Sequence, residues 1–192
     1  MIMLRSTRVS RTEPSTEPVS VAELRDKCRI TSKVQDEQLA AFLASARKRI
    51  EEVSLWRALL TQTCVDRFTS FAPEMALHWS PAQSITSVAY IDTDGDTETV
   101  ANTVYELGIF CGQGFVRLKY DQTWPTDVRS HPDVITVTSV AGYGDDPDDV
   151  PEPIRQAILL DALWQHTERE GENYPAAAIA NLISPYTNQR VL

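Results

Sequence analysis

A chain of 192 residues is sized for one domain, or for one domain with an arm. With 42% apolar and 23% charged residues it can bury an ordinary core, while a net charge of -9 excludes broad phosphate-backbone binding, which needs clustered Lys and Arg. Three widely spaced cysteines, Cys28, Cys64 and Cys111, make no disulfide framework and no apolar run reaches a membrane span, so the expectation is a soluble protein made in a reducing cytoplasm.

Residues 1–17 carry Arg5, Arg8 and Arg11 against Glu13 and Glu17, with Ser, Thr and Pro between them, and read as a flexible basic arm. Such an arm can dock on an acidic neighbour; simple terminal disorder is the alternative. Ser20 and Glu23 then have the spacing of a capping box, with Val19 placed to staple onto Leu24, so a short helix is expected up to about Cys28. After a turn at Thr31-Ser32, Leu39, Phe42, Leu43, Ala46, Ile50 and Val53 recur every three or four residues. That spacing predicts a longer helix with one buried stripe, flanked by Arg47, Lys48, Arg49, Glu51 and Glu52 as a solvated face.

From Leu60 the period changes to two. Strands are expected over 60–71, 75–79, 85–91, 97–100, 104–107, 115–120 and 134–140, with Asp94-Gly95 as a hairpin turn and Gly108, Gly112 and Gly114 around another. The acidic stretch Asp145–Asp149 closes this region. Pro151 and Pro153 open a helix with the apolar set Ile154, Ala157, Ile158, Leu160, Leu163 and Trp164, which Gly171 stops; a last short helix, about Ala176–Ile183, ends before Pro185. The fold class is therefore α+β. A helical frame from both sequence ends (about 20–56 and 151–184) holds an inserted antiparallel β-rich middle (about 60–144), and residues 18–192 form a single domain.

No catalytic, cofactor-binding or metal site can be assembled from this sequence. His78, His131 and His166 are far apart and lack partners at ligand spacing. In Asp92-Thr93-Asp94-Gly95-Asp96 the Gly stands fourth, where an EF-hand loop needs it sixth, so a β-turn is the better reading. The glycines at 108, 112 and 114 lack the Gly-Lys-Ser/Thr of a phosphate loop. Asp145, Asp146, Asp148 and Asp149 read as a solvated loop that favours the dipole of the next helix. Trp124, in Gln122-Thr123-Trp124-Pro125, is a rigid aromatic in an irregular stretch; it can anchor its loop or a neighbouring subunit.

Several segments in series resemble the head–tail connector (adaptor, or head-completion) proteins of tailed bacteriophages. They are Glu17–Glu23 leading to Cys28-Arg29-Ile30, Arg57–Thr63, Pro81–Val88 followed by Tyr90-Ile91-Asp92 and the Asp-Gly turn, then Trp124-Pro125, Val134–Val137, Ala141–Gly144 and Val150–Leu160. Each is a structural junction; their order over about residues 17–186 carries the resemblance.

The resemblance implies a connector domain and a homo-oligomeric ring, commonly dodecameric, below the portal protein in the virion neck. It also implies an extended DNA channel without sequence-specific binding, and a docking surface for the next neck or tail-completion protein. No cofactor, metal or turnover is implied. The basic arm lies outside the match. Arg5, Arg8 and Arg11 in that arm, Trp124, and the tail residues Tyr186, Arg190 and Leu192 are the candidate subunit and partner contacts. Two other readings stay open: a small hydrolase using an acidic pair, and an assembly adaptor that never enters the virion.

Overall fold

The computed structural model describes residues 4–110, 112–167 and 174–187. The chain is α+β, with helices from both ends of the sequence and strands between them. In place of one domain with a free arm there are two compact units. A sheet unit takes the residues up to Glu13 together with Thr61–Gly142, and a helical unit takes Pro14–Leu60 with Tyr143 onward. The division has a physical basis in two separate apolar clusters, one among the helices and one between the sheets.

In the helical unit, α1 (Val21–Cys28) begins with the expected capping box. The Ser20 hydroxyl accepts the Glu23 N–H at 3.2 Å, and the Glu23 carboxylate accepts the Ser20 N–H at 2.7 Å. Val19 and Leu24 are both buried in the helical core. Helix α2 (Asp36–Arg49) buries Leu39, Leu43 and Ala46, and the stripe runs on into Ile50. There the helix widens into a π-helical segment, Ile50–Leu55, ended by Trp56 in the left-handed region (φ 54). The extra residue per turn rotates the apolar stripe, so Leu55 is buried and Val53, expected inside, is 71% exposed. Helix α3 (Glu152–Thr167) packs on α2 and α1 through Ile154, Ala157, Ile158 and Ala162, and α4 (Ala176–Ile183) adds Ile179 and Ile183 to the same core.

The sheet unit contains two sheets. Strands β1 (Leu4–Arg5), β4 (Glu74–Ala76), β8 (Gln113–Leu118) and β7 (Tyr105–Phe110) form one, in the order β1-β4-β8-β7. Strands β2 (Arg8–Arg11), β3 (Gln62–Phe68), β9 (Ile135–Ala141), β5 (Ala82–Ile91) and β6 (Thr97–Thr99) form the other, in the order β2-β3-β9-β5-β6. All pairs are antiparallel except β1 with β4. Alternation sets the core: Cys64, Asp66 and Phe68 on β3 and Ile135, Val137 and Ser139 on β9 point inward. A Cβ on Gly114 would stand 2.5 Å from that of Ala82, so only glycine lets β8 come this close to β5.

Residues 4–11 are thus strands and not a free arm. Arg8–Arg11 alternates exposed and half-buried positions and pairs with β3 in register Arg8↔Arg67 to Arg11↔Cys64. The arginines that suggested disorder lie along an edge, where charge is compatible with pairing on one side only.

Candidate interaction surfaces

Charge is handled differently in the two units. In the helical unit, Arg47 is buried between two carboxylates: its Nη1 lies 2.7 Å from Glu51 and its Nε 2.8 Å from Glu17. The other Glu51 oxygen accepts the Leu59 N–H at 2.9 Å, which ties the helix to the segment beyond the π-helical turn. Arg155 similarly joins α3 to the start of α1, reaching Glu23 at 2.7 Å, the Pro18 carbonyl at 3.1 Å and Asp148 at 2.9 Å. Arg49 meets the buried Asp161 at 3.2 Å; burial raises the pKa of that carboxyl and the guanidinium opposes the rise. These groups hold the unit together.

In the sheet unit two groups of charge lie at the opposite edges of the β2–β6 sheet. One edge is β2, with Arg8 and Arg11; Arg5 lies on β1, the edge of the other sheet. The Arg11 guanidinium sits 4.4 Å over the Trp79 ring and hydrogen-bonds Gln62. The opposite edge is β6, all of it exposed and preceded by the acidic turn. Asp92 Oδ1 accepts the N–H groups of Gly95 and Asp96, both at 2.8 Å, and Gly95 takes φ 98, as the Asp-Gly signal requires. Asp94, Asp96 and Glu98 form no ion pair among the described residues, and neither do Arg5 and Arg8.

One buried group of this unit is out of place electrically. Burial pushes the Asp66 carboxyl up to about 6, against the pull of the His78 N–H that it accepts at 3.0 Å.

Trp124 anchors its own loop. Its ring stacks on Phe71 (centroids 4.6 Å apart, 7° between planes) and its N–H donates to the Ala72 carbonyl at 2.9 Å. It forms part of an open cleft of about 480 Å³, with Tyr90, Val100, Val104 and Asp127 also in the lining; the Tyr90 hydroxyl donates to Asp127 at 3.2 Å. The lining holds a single carboxylate, where hydrolysis by an acidic pair needs two. Among the described residues no group of three or more His, Cys, Asp or Glu converges on a metal position, and no helix is long and apolar enough to cross a membrane.

Of the other candidates, Tyr186 lies in a 3-10 turn whose carbonyl accepts the Arg57 Nε–H at 2.8 Å. Arg190 and Leu192 fall outside the described residues, as do Cys111 and Gly171. The β7–β8 hairpin presents an apolar end that the sequence reading passed over: Ile109 is 62% and Phe110 56% exposed. The signal available was two large apolar residues beside a turn with no polar partner in the alternation.

No protein-family model matches this chain, and no curated protein matches it. Solved structures do. A chain from the virion of a native gene transfer agent (GTA) particle superposes with a TM-score of 0.79 at 20% identity, over 97% of this chain and 98% of that one. The fold is one found in gene transfer agent particles. A chain from the neck of an empty GTA particle, computed with C6 symmetry, gives 0.77 at 21% identity, over 95% of this chain and 97% of that one. The neck of a native GTA particle, computed with C12 symmetry, gives 0.75 at 21% identity with the same coverage. At this identity the likeness is one of fold, and it spans both units of this chain.

Proposed function

We propose that this protein is a structural subunit of a virion neck, a head–tail connector that assembles as a ring below the portal protein and lengthens the DNA channel. The observation that carries this reading is the fold match over 95–97% of the chain to proteins of GTA necks and virions. C6 is a subgroup of C12, so the symmetries of both necks are compatible with a ring of twelve. The series of resembling segments supports the same role independently of the fold. A net charge of -9 suits a wall past which DNA slides without adhering. The docking of a further neck or tail protein, with the chain from Tyr186 onward as its candidate contact, belongs to the same proposal. On this reading the protein performs no catalysis.

The test is the composition and structure of purified particles. The expected result is this chain in the particle at about twelve copies per neck, seen as a ring between portal and tail by electron microscopy. Particles lacking the gene product should contain filled heads without attached tails. Absence of the chain from otherwise complete particles would leave an assembly factor that never enters the virion as the surviving reading.

A further inference from the structure

The five-stranded sheet has two open edges of opposite charge. Strand β2 carries Arg8 and Arg11; Arg5 follows on the β1 edge of the other sheet, on the chain running into β2. At the far edge, β6 carries Glu98 and adjoins the turn bearing Asp94 and Asp96. The nearby opposite charges do not cancel this contrast. Arg117 is paired with Glu106 at 2.7 Å, Lys119 donates to the Asn102 carbonyl at 2.9 Å, and Arg129 lies against the turn, beside Gly95. On the β2 side, Glu13 lies beyond the end of the strand, Asp133 accepts the Thr7 hydroxyl, and Asp66 is buried.

The backbone at these edges is arranged for a further strand. Thr12 donates to Thr63 on the β3 side, so alternation turns the amide and carbonyl of Val9 outward. At the other edge, Val100 donates to Val88 and Asp92 to Asp96, which turns those of Thr97 and Thr99 outward. Pairing an edge with its own kind sets arginine against arginine, or Glu98 against Glu98, and like charges facing across strands are unfavourable. Pairing unlike edges brings opposite charges together. The charge pattern therefore opposes two-fold dimers and favours a head-to-tail contact, the kind that propagates and closes into a ring when the rotation fits.

We propose that copies of this chain join edge to edge, the Arg8–Arg11 strand of one copy lying against the Thr97–Thr99 strand of the next. The proposal rests on the ring reading above and names the surfaces that make the ring. The arginines act as one rim of a repeating contact, and the acidic turn is their receptor.

The experiment is a charge swap in the full-length protein, with association read by sedimentation over a range of concentration and fold checked by circular dichroism. Arg8→Glu sets a carboxylate on the arginine edge, between Arg5 and Arg11; Glu98→Arg sets a guanidinium on the acidic edge, beside Asp94 and Asp96. Each variant alone should self-associate at least about tenfold more weakly than wild type, since like charges now face each other. An equal mixture should recover association to within about threefold of wild type, because each variant offers the edge that the other lacks. High salt should weaken wild type and the mixture alike. Single swaps that associate as wild type does, a mixture that fails to recover, or a wild type that stays monomeric throughout would each overturn the contact. Ineffective swaps in a chain found in neck rings would overturn this contact and leave the neck reading intact; absence from particles would do the reverse.

Discussion

In the helical unit, Arg47, Glu51, Glu17 and Asp161 are drawn into or against the core and matched there, so the unit's interior chemistry is ionic as well as apolar. In the sheet unit, the buried polar groups Gln62, Ser80 and Ser139 are uncharged and Asp66 is the buried acid, while Arg8 and Glu98 stand on opposite edges of one sheet. Charge enclosed in a core fixes a conformation and is lost to partners. Charge along an open edge adds little to the fold but remains available to another chain. By this criterion the edge-to-edge contact proposed above falls to the sheet unit, while the buried ion pairs of the helical unit serve its own fold.

The comparison can be broken most severely at Glu51. Glu51→Ala leaves the buried Arg47 guanidinium with one of its two carboxylates, Glu17, and removes the acceptor of the Leu59 amide, and should cost about 3–5 kcal/mol in denaturant unfolding. Adding Arg47→Met should return part of that loss, since the buried charge that lost its Glu51 partner is gone; no return would mean that the pair does not act as a unit.

A smaller effect is expected at Asp66, the sheet unit's exception. Its folded pKa of about 6 lies above its ordinary 3.8, so the folded state binds the proton more tightly. The contribution of Asp66 to stability therefore falls as pH rises from about 4 to about 6 and is level above that range. Asp66→Asn, a neutral isostere, should flatten this slope and be more stable at neutral pH by on the order of 3 kcal/mol. Thermal unfolding across that pH range is the measurement, and an unchanged slope would place the burden elsewhere. Ser20→Ala should cost about 1 kcal/mol through loss of the capping box. Least of all, replacing Ile109 and Phe110 together by Ser should move stability by no more than about 0.5 kcal/mol, because both are exposed. A larger loss would show that the hairpin end is packed against something.

Much of the fold was legible because local signals and tertiary structure agree. The capping box at Ser20, the Asp-Gly turn at 94–95 and the alternation of β9 each specify their element alone. The misreadings share a cause, which is that the deciding partner is remote. Arg47 and Glu51 at i,i+4 look like a surface pair; only Glu17 and the Leu59 amide, brought in by folding, place them inside. Arg8–Arg11 lacks the apolar alternation of a strand, and its order comes from β3, more than fifty residues further on. Val53 was misplaced because a π-helical turn has no simple sequence signature. Of the charges in the proposed contact, the arginines stand out in the sequence, while the acidic edge opposite them emerges only once the strand order is known.

That strand order also dictates a schedule for synthesis. The Arg8–Arg11 strand leaves the ribosome before its partner β3, which emerges some fifty residues later, and β9, which sits between β3 and β5, comes later still. The helical core waits longer, since α2 packs on α3. Neither unit can close until most of the polypeptide exists, which makes this a chain of distant pairings and predicts slow folding. An interrupted translation product would expose both edges of an unfinished sheet, and chaperone demand should be greatest before residue 141 is made.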